Sequence, residues 1–339
     1  MIKFERNIEQ DLAMKNLLIS MVDMSDYLSA VLNYTGKILT PRQEKELIKI
    51  LKKYRIPHEG LKYDVKILSE NPYFRDIHLE EVSSPTVKYD KATIKKRTLI
   101  NMNFHQPLGK YLFHHHPMGY FESDIDLPVL MEGDKVWMSP AVSEIESMRP
   151  GIKRGHGKCL TFGLGIGVLP YLWLLKDEVE EVTVVEFNQD VIDLFEIYIR
   201  PQFKTNKNLK IIHGNAFDYY NEEFLNRFDY VYVDFWESNE DGLELYTRLM
   251  EKKITLTHID YWVEDSILSD LKYLVSSYLH AVYDDKGITD FLSATDDEMM
   301  PYAKKINRYF KKRTDLISTE DQLLGFIHGI DVLREILGQ

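Results

Sequence analysis

The sequence has one cysteine, Cys159, in 339 residues, which excludes an intrachain disulfide framework and fits a reducing cytoplasm. No apolar run approaches the ~18 residues needed to cross a bilayer. The opening residues, MIKFERNIEQDLAM, lack the long apolar stretch of a signal peptide. Positive charge is the scarcer sign. With 42 Lys and Arg against 54 Asp and Glu the net charge is -12, which disfavours general affinity for nucleic acid or anionic membranes. A G-x-S-x-G elbow, a Walker A sequence, internal repeats and low-complexity segments are also missing. These absences lead to the expectation of a soluble cytoplasmic protein with no membrane partner.

What is present is ordinary globular material. At 44% hydrophobic and 28% charged residues, the chain is long enough to bury a core spread over two domains. Residues 6–35 read as a helix, with Leu17, Leu18, Met21, Leu28, Val31 and Leu32 at three-and-four spacing. A second helix starts at Thr40 as N-cap, with Pro41 in the first position and Gln43 completing a capping box. Its stripe is Leu47, Ile48, Leu51 and Tyr54, and Pro57 bounds it. From Tyr63 to Met102 the pattern is mixed and assigns only a loop at Ser83-Ser84-Pro85. His114-His115-His116-Pro117, followed by Glu122, Asp124 and Asp126, reads as an exposed polar loop, because consecutive histidines cannot all face one metal. One of them with His105 and an acid is the metal-binding alternative; no metal is expected at the functional site.

Leu127–Met131 and Lys135–Met138 flank Glu132-Gly133-Asp134, the pattern of a β-hairpin. A short helix starting at Ser139-Pro140 carries Ser143, Glu144 and Ser147 and is expected to end at Pro150-Gly151. The centre of the chain follows. Cys159–Phe162 is a short strand entering Gly163-Leu164-Gly165-Ile166-Gly167; an apolar helix runs to Leu175, and Val182–Val185 ends on Glu186. A strand, glycine turn, helix and strand closed by an acid make a nucleotide-cofactor site. The glycines permit close backbone approach, and the acid can accept ribose hydroxyls.

Beyond Glu186, Asn188 caps a helix that buries Val191, Ile192, Phe195, Tyr198 and Ile199 and stops before Pro201. Leu209–His213 and Asp229–Val233 read as further strands, running into Gly214-Asn215-Ala216-Phe217 and Asp234-Phe235-Trp236-Glu237. A helix over Asp241–Lys252 and a fifth strand near Ile254–Ile259 complete a parallel sheet with ligands at its carboxyl edge, where Glu186, Asn215 and Asp234 all fall. From Tyr261 the chain reads as mostly helical. Lys304, Lys305, Arg308, Lys311, Lys312 and Arg313 read as a solvated helical face rather than a nucleic-acid contact. The amphipathic end, Ile317–Leu337, is expected to pack on the rest of the chain or on a second subunit in a homo-oligomer.

Over residues 130–260 these motifs together resemble the class I S-adenosylmethionine-dependent methyltransferases. The likeness rests on Phe162-Gly163-Leu164-Gly165-Ile166-Gly167, on Val185-Glu186-Phe187-Asn188, on His213-Gly214-Asn215-Ala216-Phe217, and on Phe228-Asp229-Tyr230-Val231-Tyr232-Val233-Asp234. It implies a Rossmann-like α/β fold. In domain terms, 1–125 is expected to be mainly helical, 126–260 to bind the cofactor, and 261–339 to be a helical extension.

The resemblance implies S-adenosylmethionine as cofactor, held by Gly163, Leu164, Gly165 and Gly167 around its methionine and ribose. Glu186 would hold the ribose hydroxyls, with Phe187 and Asn188 beside the adenine and Asn215 and Ala216 at its edge. Asp234 would contact the cofactor or serve as base, with Glu237 as second base candidate; Trp137 and Trp236, with Tyr232, would shape an acceptor pocket that Ser139 and Glu144 approach. The glycine spacing departs from the G-x-G-x-x-G of nicotinamide enzymes. No Asn-Pro-Pro-Tyr or Asp-Pro-Pro-Tyr follows the fourth strand, which counts against methylation of DNA base amines. A buried Cys159 would not serve as a nucleophile.

The chain is also similar to the spermidine-synthase-like branch in its leading hairpin, in Gly214-Asn215-Ala216-Phe217 and in Leu245-Tyr246-Thr247. That branch's Gly-Gly-Gly-Asp-Gly turn is replaced by Gly163-Leu164-Gly165-Ile166-Gly167, and its Asp-Ser-Ser-Asp-Pro run by Asp234-Phe235-Trp236-Glu237-Ser238. These losses remove expected polyamine contacts. Methyl transfer to a small-molecule or protein acceptor is therefore the leading expectation. Aminopropyl transfer comes second, and a non-catalytic cofactor-binding module third, because no sixth and seventh strands follow Ile259.

Overall fold

The computed structural model describes residues 2–58, 60–103, 106–237, 239–285 and 287–339. His105 and Ser238 lie outside these residues. The chain opens with helix α1, Ile8–Val31, and helix α2, Pro41–Lys53. The expected capping box is formed: the Thr40 side chain accepts from the Gln43 N–H, and the Gln43 side chain accepts from the Thr40 N–H. Of the stripe read for α1, Leu17 and Val31 are buried, whereas Leu18 and Leu32 are exposed. The buried face of α1 instead uses Ala13, Met14 and Tyr27.

The segment that carried no clear pattern contains a long strand. β1, Val87–Ile94, pairs antiparallel with β2, Ile125–Glu132, over eight positions from Val87↔Glu132 to Ile94↔Ile125. β2 turns at Gly133, whose φ is +59°, into β3, Lys135–Met138. The expected hairpin is therefore half of a four-stranded antiparallel sheet that begins at Val82–Ser83. It crosses the expected division at residue 125, and residues 82–121 contribute strands rather than helices. A smaller sheet joins Lys62–Tyr63, Ile100–Asn101 and Met118–Phe121.

Helix α3, Val142–Arg154, continues through Pro150, where the sequence suggested an end. Proline removes one helical N–H, and tertiary contacts hold the last turn in place. Gly151 lies against the Tyr232 ring, and its carbonyl accepts from Trp173 Nε1 at 3.1 Å.

The central sheet follows: β4 Gly157–Phe162, helix α4 Val168–Leu174, β5 Val179–Glu186, helix α5 Gln189–Leu194, β6 Asn208–His213, β7 Tyr230–Val233, helix α6 Asn239–Met250 and β8 Ile259–Tyr261. All five strands are parallel, in the order β6-β5-β4-β7-β8. β4 and β7 are buried almost throughout, as a sheet covered on both faces requires. The last strand begins five residues later than the Ile254 expected.

Among the described residues the parallel sheet gains no strand after β8. The chain continues as helices, including α7 Ser269–Tyr283, α8 Met300–Lys311, α9 Glu320–His328 and α10 Ile330–Leu337. Between α8 and α9, Leu316–Ile317 pairs in parallel with Lys3–Phe4, so the two ends of the chain meet. One apolar cluster contains Met14, Val87, Phe162, Tyr278 and Leu333, so the N-terminal and C-terminal helices share a core with the parallel sheet. In the basic run, Lys304, Arg308, Lys311 and Lys312 are exposed. Lys305 instead binds the Leu337 carbonyl at 2.7 Å and Glu251 at 2.9 Å. Among the described residues no helix is long and apolar enough to cross a membrane.

Candidate functional site

The carboxyl ends of β4, β5, β6 and β7 open into one cavity of about 670 Å³, a size that suits a cofactor or small substrate. The glycine turn after β4 forms its floor. Gly163, Gly165 and Gly167 all have positive φ, at +92°, +52° and +77°. A Cβ on Gly163 would collide with the carbonyl of Asp234, so this glycine lets the β4 turn and the end of β7 come together. Gly165 stands against Met138 Sδ, which brings β3 over the turn.

The resemblance placed Gly167 at the cofactor, but in the fold it lies away from the cavity. A Cβ there would run into the Phe195 ring. Its place is the N-cap of α4, packed on the helix that follows β5.

Glu186 ends β5, and both of its carboxylate oxygens are engaged. Oε2 accepts from the Leu164 N–H at 2.8 Å and Oε1 from the Asn188 N–H at 2.7 Å. Burial raises its pKa, and these backbone donors, with that of Phe187, offset part of the rise. The next residue, Phe187, lines the cavity and is 71% exposed, while its carbonyl is held by His213 Nε2 at 3.0 Å. An aromatic face left uncovered beside a carboxylate is suited to a planar ring. Asn188 lines the same wall and caps α5 through the Asp190 N–H.

After β6, Asn215 Oδ1 accepts from the Phe217 N–H at 2.9 Å, which leaves its NH2 group to donate. Ala216 lines the cavity beside it. Arg248, from α6, lies over the Phe217 ring at 4.1 Å and also reaches the cavity.

The opposite wall is acidic and aromatic. Asp234, at the end of β7, and Glu144, on α3, both line the cavity. Among the described residues neither carboxylate has a hydrogen-bond donor or a cation. Burial pushes Asp234 well above the ordinary carboxylate range, and the nearby Glu144 charge adds to the rise. Burial alone raises Glu144 to about 7.

Glu237 also lines the cavity, but its Oε2 binds Lys135 Nζ at 2.6 Å and its N–H is held by Asp241 at 3.0 Å. That ion pair ties the β3 hairpin to the loop after β7. It leaves Glu237 less available as a base than Glu144.

Trp236 is buried against the cavity and its Nε1 has no partner among the described residues, while Trp137 is 46% exposed at the mouth. Tyr232 is sheet core packed on Gly151, and neither it nor Ser139 reaches the cavity. The Cys159 thiol is buried and raised to about 12, which suits a structural rather than a nucleophilic residue.

Every remaining cofactor or substrate residue expected from the sequence lines this one cavity. Arg248, Trp262 and Met138 also line it and were not expected there, because each arrives from an element distant in the chain. Among the described residues no three His, Cys, Asp or Glu side chains form a metal-sized group; His114 and His116 stack edge to face at 4.2 Å. No family model matches the chain, and no curated protein matches it at a significant level.

Proposed function

We propose that this protein is a Rossmann-like, S-adenosylmethionine-dependent methyltransferase of the cytoplasm, acting on a small-molecule or protein acceptor. The observation that carries the reading is the single cavity in which the glycine turn, Glu186, Asn215 and Asp234 converge. The strand order, with its reversal between β4 and β7, supports it, because ligands of open parallel sheets bind at such a switch point.

The residues present fit a sulfonium nucleoside. Gly163 and Leu164 offer close backbone approach, Glu186 offers carboxylate oxygens for a ribose, and Phe187 offers an uncovered ring for a purine. Asn215 offers an amide donor at the far edge. When bound, the sulfonium supplies an activated methyl group. The chain's own work is then to align an acceptor and exclude water, effects that reach roughly 7–11 kcal/mol in well-ordered cases. Asp234 and Glu144 supply a place for the acceptor's proton.

The lining favours one second reading. Among the described residues five carboxylates, Glu132, Glu144, Glu186, Asp234 and Glu237, face a single cation, Arg248. Such a wall also suits the decarboxylated nucleoside, which has lost its only anionic group, and hence aminopropyl transfer.

Incubation with methyl-labelled S-adenosylmethionine and an acceptor panel tests the first reading, with the decarboxylated nucleoside run in parallel. Label transfer supports methylation. Turnover of only the decarboxylated nucleoside supports the second reading. A failure of either nucleoside to turn over with any acceptor contradicts both.

A further inference from the structure

Within the cavity, two of the carboxylates are left over once the others are accounted for. Glu186 is held by backbone amides, Glu237 is paired with Lys135, and Glu132 sits exposed on the rim. Asp234 and Glu144 face the same space from β7 and α3, and among the described residues they have neither donor nor counter-cation. Two uncompensated carboxylates in one enclosure are costly, and they favour holding a proton or taking up a cation.

The surroundings narrow what that cation is. Met148 lies one helical turn beyond Glu144 on α3, and Trp236 follows Asp234 by two residues. Trp262 completes the wall, with its Nε1 donating to Ser147 Oγ at 2.8 Å. Trp236 is only 4% exposed and packs its indole into the same wall. The wall is apolar and aromatic, and aromatic faces attract a desolvated ammonium. The remaining acid of the lining, Glu132, is exposed on the rim, where water screens it from a distant positive charge.

We propose that the acceptor is a monoamine with an apolar, ring-sized body, whose ammonium group is held between Asp234 and Glu144. The proposal rests on the sulfonium-nucleoside reading above.

In the step, the ammonium passes one proton to Asp234, which becomes a carboxylic acid. The freed nitrogen lone pair forms the N–C bond to the methyl carbon as the C–S bond breaks, its electron pair staying on sulfur. The products are a methylated ammonium, a neutral thioether and protonated Asp234, so charge and atoms balance. Glu144 is a positioning residue, sharing the cation and keeping the proton on the carboxylate side.

Calorimetry on the full chain saturated with S-adenosylhomocysteine tests this with benzylamine, benzyl alcohol and 1,4-diaminobutane. Benzylamine is expected to bind roughly 10–100-fold more tightly than the alcohol, the range for a charge-assisted pair, and more tightly than the diamine. In Glu144→Gln and in Asp234→Asn, each checked for its unfolding temperature, that preference is expected to shrink toward unity. Equal binding of amine and alcohol, tighter binding of the diamine, or a preference that survives in both variants would overturn the proposal alone. Failure of the wild-type chain to bind S-adenosylhomocysteine would instead overturn the reading beneath it.

Discussion

Glu186 Oε2 accepts the Leu164 N–H at 2.8 Å, a bond that clamps the tip of β5 to the glycine turn after β4. The same side chain holds the turn that starts α5 through Asn188. A ribose would therefore meet a carboxylate already oriented by the backbone, with lone pairs to spare. Glu186→Ala is expected to weaken nucleoside binding by roughly 10–100-fold, since hydrogen bonds to a charged group are each worth about 1.5–3 kcal/mol. Calorimetry measures this, with the basic-run variant Lys311→Ala as a control that keeps wild-type affinity.

Gly167 and Gly163 should separate cleanly. Gly167 faces Phe195 and lies outside the cavity, with φ at +77°. Gly167→Ala is expected to lower stability by roughly 2–4 kcal/mol through left-handed strain and overpacking. Nucleoside affinity of the folded fraction should stay unchanged. Gly163→Ala, pressed on the Asp234 carbonyl, should lose affinity as well as stability. Denaturant melts paired with calorimetry distinguish the two.

The contrast shows what was legible in the residues alone. The glycine turn, the acid ending β5 and the capping box at Thr40 depend on neighbours within a few positions, and the sequence identifies all three. The parallel strands were legible for a similar reason, since each is an apolar run bounded by turn residues. β1 was not. Its far end, Lys91–Ile94, packs little, and its assignment depends on pairing with a strand more than thirty residues away. The packing of Gly167 on Phe195 was not legible, because Phe195 comes from another helix. Glu144 was within reach, but its pairing with Asp234 depends on how α3 crosses the sheet edge.

Glu144 gives the apo protein a pH-dependent liability. Its pKa is about 7 in the fold against an ordinary 4.5, so the folded state binds the proton more tightly than the unfolded one. Stability is full below pH 4.5, falls as pH rises toward 7, and then levels off. Asp234, Arg248 and the Lys135–Glu237 pair share that cavity and modulate the step. Glu144→Gln removes the penalty. Relative to wild type it is expected to match at pH 4 and to gain up to about 3 kcal/mol above pH 8. Thermal melts across that range without ligand measure it.

The Lys135–Glu237 pair fastens the β3 hairpin over the site from the rim. Its side chains are 65% and 24% exposed, so solvent screening keeps its contribution to stability small. A double-mutant cycle with Lys135→Met and Glu237→Gln should return only a small coupling, and one that falls further as salt is added. If Glu237 is a rim contact rather than the base, Glu237→Gln should lower methyl transfer far less than Asp234→Asn does.

Isothermal titration of the full chain with S-adenosylmethionine and S-adenosylhomocysteine tests the central claim most directly. The cavity is expected to bind both with one-to-one stoichiometry, and Glu186→Ala should abolish or sharply weaken both. No heat from either nucleoside with the wild-type chain, or binding that survives Glu186→Ala unchanged, would contradict the assignment of this sheet edge.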